Sequence, residues 1–252
     1  MQSVKFERPP LIEVVFGVNI EITDFSLVHF GLYWETIKER FPMPVETFGE
    51  LTLTEDDSYT PSFPTAWFLS SEENKLIRLT EDYFSYHCRC INEEYKHFDK
   101  LFQEFLNEWY NLESWWSNVS ERNIKIKNYS LQYINLIDRE SDWKGFEDNQ
   151  KIFKFDRPIK TSLGLPKAYL SETKFELADN LGTLIVSIEQ KKLENLEGGM
   201  EKVIVFTLSV ISSQVKDSFS EDWFCSAHNS IIQAFLDLTT EEAQEKWGRI
   251  YE

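Results

Sequence analysis

The stretch FDKLFQEFLNEWYNLESWW, residues 98–116, decides how this chain folds. Phe98, Leu101, Phe102, Phe105, Leu106, Trp109, Leu112 and Trp116 recur at steps of three and four residues. On a helix of 3.6 residues per turn that spacing puts all of them on one face. The pattern predicts a helix over residues 94–117, and its apolar face needs an apolar surface to lie on. A sheet is the simplest such surface, and the flanking sequence supplies strands with one greasy side.

Upstream, Ile12, Val14, Phe16, Val18, Ile20 and Ile22 occupy alternate positions, with Glu13, Asn19 and Glu21 between them. That is the period of a strand with one buried face. Asp24 opens a helix with Phe30, Tyr33, Trp34, Ile37 and Phe41 on one side. The FPMP at 41–44 ends it, because proline breaks the hydrogen-bond ladder. Short strands are expected at 48–53, 65–69, 75–79 and 83–91, divided by polar turns.

Downstream, a long strand is expected over 124–137. Its apolar phase changes near Asn128, as at a bulge. A short helix or loop follows at 141–149, then a weak strand at 151–155 and stronger ones at 169–178, 183–190 and 202–212. Leu184, Val186 and Ile188 form one inward set, and Ile204, Phe206, Leu208 and Val210 another. A helix over 220–238 carries Phe224, Ala227, Ile231, Phe235 and Leu238. The fold class is therefore α+β. Two similar halves, 1–123 and 124–252, each run strand, helix or loop, four antiparallel strands, helix, packed as one unit. The order resembles the duplicated helix-on-sheet fold of TATA-binding proteins, an analogy that transmits no function.

The closing LTTEEAQEKWG, residues 238–248, starts a last short helix. Thr239 and Glu242 have the spacing of a capping box, and Ala243, Trp247 and Ile250 form a narrow apolar stripe.

The chain carries 43 acidic against 26 basic side chains, a net charge of -17, and the excess is greater before Asn123 than after it. Such a surface repels a phosphate backbone unless a basic patch overcomes the repulsion. Lys125 and Lys127 are the densest basic pair, so nucleic acid is disfavoured as a partner. A basic protein suits the charge, as does mimicry of a nucleic acid. Cys88, Cys90 and Cys225 are too few for a disulfide framework. The opening MQSVKFERPP lacks the apolar core of a secretory leader, and no window approaches the length of a membrane span. A cytoplasmic protein with no membrane contact is expected.

Walker A, G-x-G-x-x-G, H-E-x-x-H and G-x-S-x-G patterns are all missing. Two looser constellations remain. Cys88 and Cys90 on a strand, with Cys225 and His228 one helical turn apart, have the ligand types zinc takes. A packed strand face explains the first pair equally well, and no metal or other cofactor is assigned. Asp179 with Glu189-x-Lys191 matches the acidic and lysine pattern of metal-dependent nucleases. Cross-strand ion pairing accounts for the same residues.

The residues Pro9, Pro10, Glu13 and Val14, with Leu238, Thr239, Thr240, Glu242, Ala243, Trp247 and Gly248, resemble a family of uncharacterised prokaryotic proteins of about 250 residues. That family is sporadically distributed and has PP-x-x-E-V-V and L-T-T-x-E-A-x-x-x-W-G motifs. Where its closing motif implies a histidine, this chain has Gln244. The resemblance implies an accessory system of the defence or toxin–antitoxin type. The expectation is a non-enzymatic protein-binding component or regulator, with Trp143, Trp223, His228 and Trp247 as contact residues and self-association compatible with the role. A nuclease using Asp179, Glu189 and Lys191, and an acidic nucleic-acid mimic, are the alternatives.

Overall fold

Alternating apolar side chains and two long amphipathic helices produce the element order of the computed structural model. It describes residues 5–47, 51–53, 59–61, 64–90, 97–138, 141, 143–155, 162, 168–194, 198–213 and 219–250. In chain order the elements are β1 (Lys5–Phe6), β2 (Leu11–Glu21), α1 (Leu27–Ile37), β3 (Met43–Thr47), β4 (Leu51–Leu53), β5 (Tyr59–Pro61), β6 (Thr65–Leu69), β7 (Lys75–Leu79), β8 (Tyr83–Arg89), α2 (Phe98–Ser120), β9 (Lys125–Ile137), α3 (Asn149–Ile152), β10 (Leu170–Leu177), β11 (Gly182–Glu194), β12 (Met200–Ile211), α4 (Glu221–Leu238), α5 (Glu241–Lys246) and β13 (Arg249–Ile250). Nine strands form a large antiparallel sheet in the order β10-β11-β12-β9-β2-β8-β7-β6-β3, with helices packed on it. β1 pairs with β13, and β4 with β5, as separate two-stranded ladders. The α+β class and the open, helix-covered antiparallel sheet are as the periodicities imply.

The chain forms two compact units. One comprises residues 14–131 and 212–220, the other residues 1–13, 132–211 and 221–252.

In the first unit, α2 lies on its sheet by aromatic stacking. Phe16 on β2 stacks on Phe105 with ring centroids 5.0 Å apart, and Phe98 and Phe102 lie 5.9 and 6.0 Å from it. Phe84 on β8 meets Trp109 at 5.8 Å. All eight residues of the stripe read from the sequence are buried. α1 begins two residues later than Asp24 suggests. Asp24 adopts a left-handed conformation (φ 66°), and Ser26 is the N-cap, its N–H donating to His29 Nδ1 at 2.9 Å. Phe41 lies beyond the helix, but its carbonyl accepts Trp34 Nε1–H at 3.0 Å. Of the strand expected at 48–53, residues 51–53 form β4 and residues 48–50 lie outside the described residues; β3, paired with β6, is a further strand not among those expected from the sequence. Those at 65–69 and 75–79 match, and 83–91 is described as a strand to Arg89. On β9, burial changes parity where the sequence does. Ile126 is half-buried, and Tyr129, Leu131, Tyr133, Asn135 and Ile137 are buried. Gly17 on β2 leaves room for Tyr83 OH and Ser130 Oγ, which a Cβ there would meet at 2.3 and 2.2 Å.

In the second unit, β10, β11 and β12 form consecutive hairpins, and Phe206 on β12 stacks on Phe235 of α4 at 6.1 Å. The fourth strand expected here, at 151–155, is absent. Lys151 and Ile152 close α3, and Phe153 makes a single bridge to Thr239. Its backbone groups are taken by the end of α4 instead: Lys154 N–H donates to the Leu238 carbonyl at 2.9 Å, and Thr240 N–H to that of Ile152 at 2.8 Å. The capping box expected from Thr239 and Glu242 does not form, and a plain N-cap one residue later replaces it. Thr239 is buried and its hydroxyl donates to the Phe235 carbonyl at 2.6 Å, which finishes α4. Thr240 is the N-cap of α5 and accepts Ala243 N–H at 3.2 Å. With two threonines side by side, the one at the helix junction is consumed by the helix before it.

Truncating Phe105 removes a ring from the centre of the stack, and Phe105→Ala is expected to lower stability in urea by about 3–5 kcal/mol. Asp148, held below the usual carboxylate range chiefly by its bond to Lys151, gives a pH test. A depressed acid stabilises the fold above its unfolded value and loses that contribution as pH falls. Wild type should exceed Asp148→Asn by about 0.5–1 kcal/mol at neutral pH, with the gap closing as pH falls through and below the ordinary aspartate range.

Candidate functional site

Helix α1 is apolar on both sides. Its inner side carries Phe30, Tyr33 and Ile37, all buried, with Tyr33 between Phe68 at 5.9 Å and Trp115 at 5.1 Å. Its outer side carries Leu27, Val28 and Leu32 at 58%, 68% and 47% exposure. Positions 28 and 32 are one turn apart and so are neighbours on that side of the helix, with Leu27 exposed a step round it in the first turn.

Ion pairs between the loop after α1 and α2 fix this helix. Arg40 grips Glu108 in a bidentate fork, Nε to Oε1 and Nη2 to Oε2, both at 2.9 Å. Glu108 is buried in the middle of α2, and its carboxylate holds the Arg40 guanidinium more firmly protonated than usual. Next to it, Glu104 accepts from Lys75 Nζ and from Tyr86 OH, each at 2.9 Å. Burial and then Glu104 push the Tyr86 hydroxyl far up. Tyr33 is also pushed up, by burial first and Glu108 second, so both phenols stay protonated. Arg40, Glu108, Glu104, Lys75 and Tyr86, with Asn74, Asn107 and the turn at 70–72, line a cavity of about 450 Å³. Its two cations are spoken for by its two deepest carboxylates, so chemically it is a clasp between helix and sheet.

The face of this unit's sheet opposite α2 holds a second cluster. Arg78 lies over the Trp67 ring at 5.4 Å and the Tyr83 ring at 5.3 Å, and Ser85 Oγ bonds His87 Nε2 at 2.9 Å. Strand alternation puts them opposite Phe84 and Tyr86.

The contact residues expected from sequence fall elsewhere. Trp143 is fully buried, its indole N–H donating to Asn149 Oδ1 at 2.7 Å. Trp247 is buried beside Phe235 at 5.4 Å. Trp223 is half-buried and donates to the Leu181 carbonyl at 2.8 Å, and His228 Nδ1 bonds Tyr133 OH at 2.8 Å. The first two are packing residues, and the other two are tied to their own unit. Asp179 sits in the left-handed turn between β10 and β11, whereas Glu189 lies seven residues along β11 from Gly182, roughly 23 Å away. Glu189 is ion-paired to Lys191 at 3.0 Å, so the three nuclease-like residues do not converge. Cys88 is buried on the α2 side of β8 and Cys225 is exposed on α4, in different units. Among the described residues no three His, Cys, Asp or Glu side chains meet as a metal site.

Neither the Arg40–Glu108 clasp nor the outer face of α1 figured among the residues expected from sequence. The patch had a signal: Leu27, Val28 and Leu32 fall outside the inner stripe of Phe30, Tyr33 and Ile37. Comparison with protein-family models, curated proteins and solved structures finds no match for this chain.

Arg40→Ala strands the Glu108 carboxylate. The pair is half open to water on the arginine side, so the expected loss in urea denaturation is about 1–2 kcal/mol, below that of a fully buried pair.

Proposed function

We propose that this protein acts by binding another protein through the outer face of α1, as a non-enzymatic component or regulator of an accessory prokaryotic system. The observation that carries this reading is the exposure of Leu27, Val28 and Leu32 on a helix whose other side is locked by Tyr33 and the Arg40–Glu108 fork. Covering each of those side chains contributes about 1–2 kcal/mol, more than a typical exposed ion pair, so the aliphatic patch dominates the interface. A patch preset on a rigid element also loses little entropy on docking. Asp24 and Glu35, which flank it, are already paired with Arg122 and Lys38, so the preference for a basic partner rests on the chain's net charge of -17. The partner therefore presents an apolar surface and carries net positive charge. The accessory-system setting comes from the resemblance carried by the Pro9-Pro10 and Leu238–Gly248 motifs.

Affinity capture from the native host with wild type and with Val28→Glu/Leu32→Glu tests it. The expected outcome is one stoichiometric partner, basic in composition, lost with the double variant while its thermal unfolding is unchanged. Recovery of the same partner by the double variant, or of no stoichiometric partner by wild type, overturns the reading.

A further inference from the structure

Strand β10 ends the nine-stranded order, and among the described residues it pairs only with β11. Its backbone polarity can be assigned. Gln190 N–H donates to the Tyr169 carbonyl at 2.9 Å, in the register that sets Leu170 against Glu189. Bonded pairs alternate with non-bonded pairs in an antiparallel ladder. Ser171, Thr173, Phe175 and Leu177 thus turn their N–H and C=O groups toward β11. Leu170, Glu172, Lys174 and Glu176 turn theirs outward. Those four side chains also share one face, on which Leu170 is 70% exposed and Glu172 and Lys174 form an open ion pair at 3.3 Å.

We propose that β10 pairs antiparallel with β10 of a second copy of this chain, with Glu172 opposite the second copy's Lys174, Leu170 opposite its Glu176, and Thr173 on the twofold axis. Three physical constraints select this register. Outward-facing residues must meet outward-facing residues, which removes every register offset by one. Of the remaining registers, a shift of two in one direction sets Lys174 against Lys174 and Glu172 against Glu176. A shift in the other direction sets Glu172 against Glu172, and like charges directly opposite destabilise a ladder. Only the proposed register satisfies all four outward N–H and all four outward C=O groups of each strand while making two opposite-charge pairs. Charges on an edge strand commonly block pairing; here their alternating sign permits self-pairing in one alignment. The contact is isologous and closes at two copies.

Sedimentation velocity of the full chain over a range of concentrations tests this. Wild type should shift toward twice the monomer mass as concentration rises. Glu172→Lys alone and Lys174→Glu alone should each associate roughly tenfold or more weakly, because each self-pair now opposes like charges. An equimolar mixture of the two variants should regain association as a heterodimer, since positions 172 and 174 are then opposite in sign at both contacts. Wild type that stays monomeric at every concentration, single variants that associate as wild type does, or a mixture that fails to recover overturns the proposal. Leu32→Glu should self-associate normally, and loss of self-association in that variant would move the contact to α1 and overturn it as well.

Discussion

The stack of Phe16 with Phe98, Phe102 and Phe105 is the contact on which the first unit depends. A strand alone is unstable in water, and a helix with so broad an apolar face has nowhere else to put it. Burying each on the other resolves both problems and fixes which face of β2 and β8 looks inward. Once Phe84 and Tyr86 are committed to the helix side, Tyr83, Ser85 and His87 take the other side by alternation. The clasp follows from the same constraint, because α2 can bury Phe105 and Trp109 only by carrying Glu108 down with them. A buried carboxylate is costly unless paired, and Arg40 supplies the pair.

The second unit closes with polar chemistry at its end. Gln244 is buried and donates to the Leu236 carbonyl at 2.9 Å and to Thr239 O and Oγ1 at 3.1 and 3.0 Å, while its carbonyl accepts from Arg249. It ties the last turn of α4 to the segment beyond α5. Gly248, at φ 71°, lets that segment turn back along Glu7, where a Cβ would meet the Glu7 Cβ at 2.8 Å. Arg8 and Glu7 then bond to the carbonyls of Trp247 and Gly248, each at 3.0 Å. The TT-x-E-A-Q-x-x-W-G run thus acts here as a structural lock: one threonine ends a helix, the next begins another, and the glutamine, tryptophan and glycine hold the closing ladder. Its glutamine needs no ionisable group to do this.

Function in such a molecule rests on what its surfaces leave uncovered. One side of α1 rests on a sheet and a helix, while Leu27, Val28 and Leu32 on its other side are exposed. β10 has a partner on one edge only among the described residues. These two features differ in kind, one a patch of side chains and the other a row of backbone groups. In the readings proposed above, a foreign protein would take the first and a second copy of the chain the second.

Sequence periodicity determined the α+β class, both long helices and most of the strands, because periods of 3.6 and 2 are local and need no knowledge of the neighbours. It failed at 151–155, where a strand-like run gave its backbone bonds to the end of α4, and at Thr239, where adjacent helices competed for one cap. It also nominated Trp143 and Trp247 as contacts, since sequence shows that a side chain is large and apolar but not which side of the molecule it faces. Only the tertiary structure decided that Arg40 meets Glu108 across 68 residues, that Leu27, Val28 and Leu32 stay in water, and that Asp179 and Glu189 lie at opposite ends of a hairpin. Those outcomes depend on strand register and on which of two apolar faces finds a surface first. Both are set by contacts between distant segments, which no local pattern encodes.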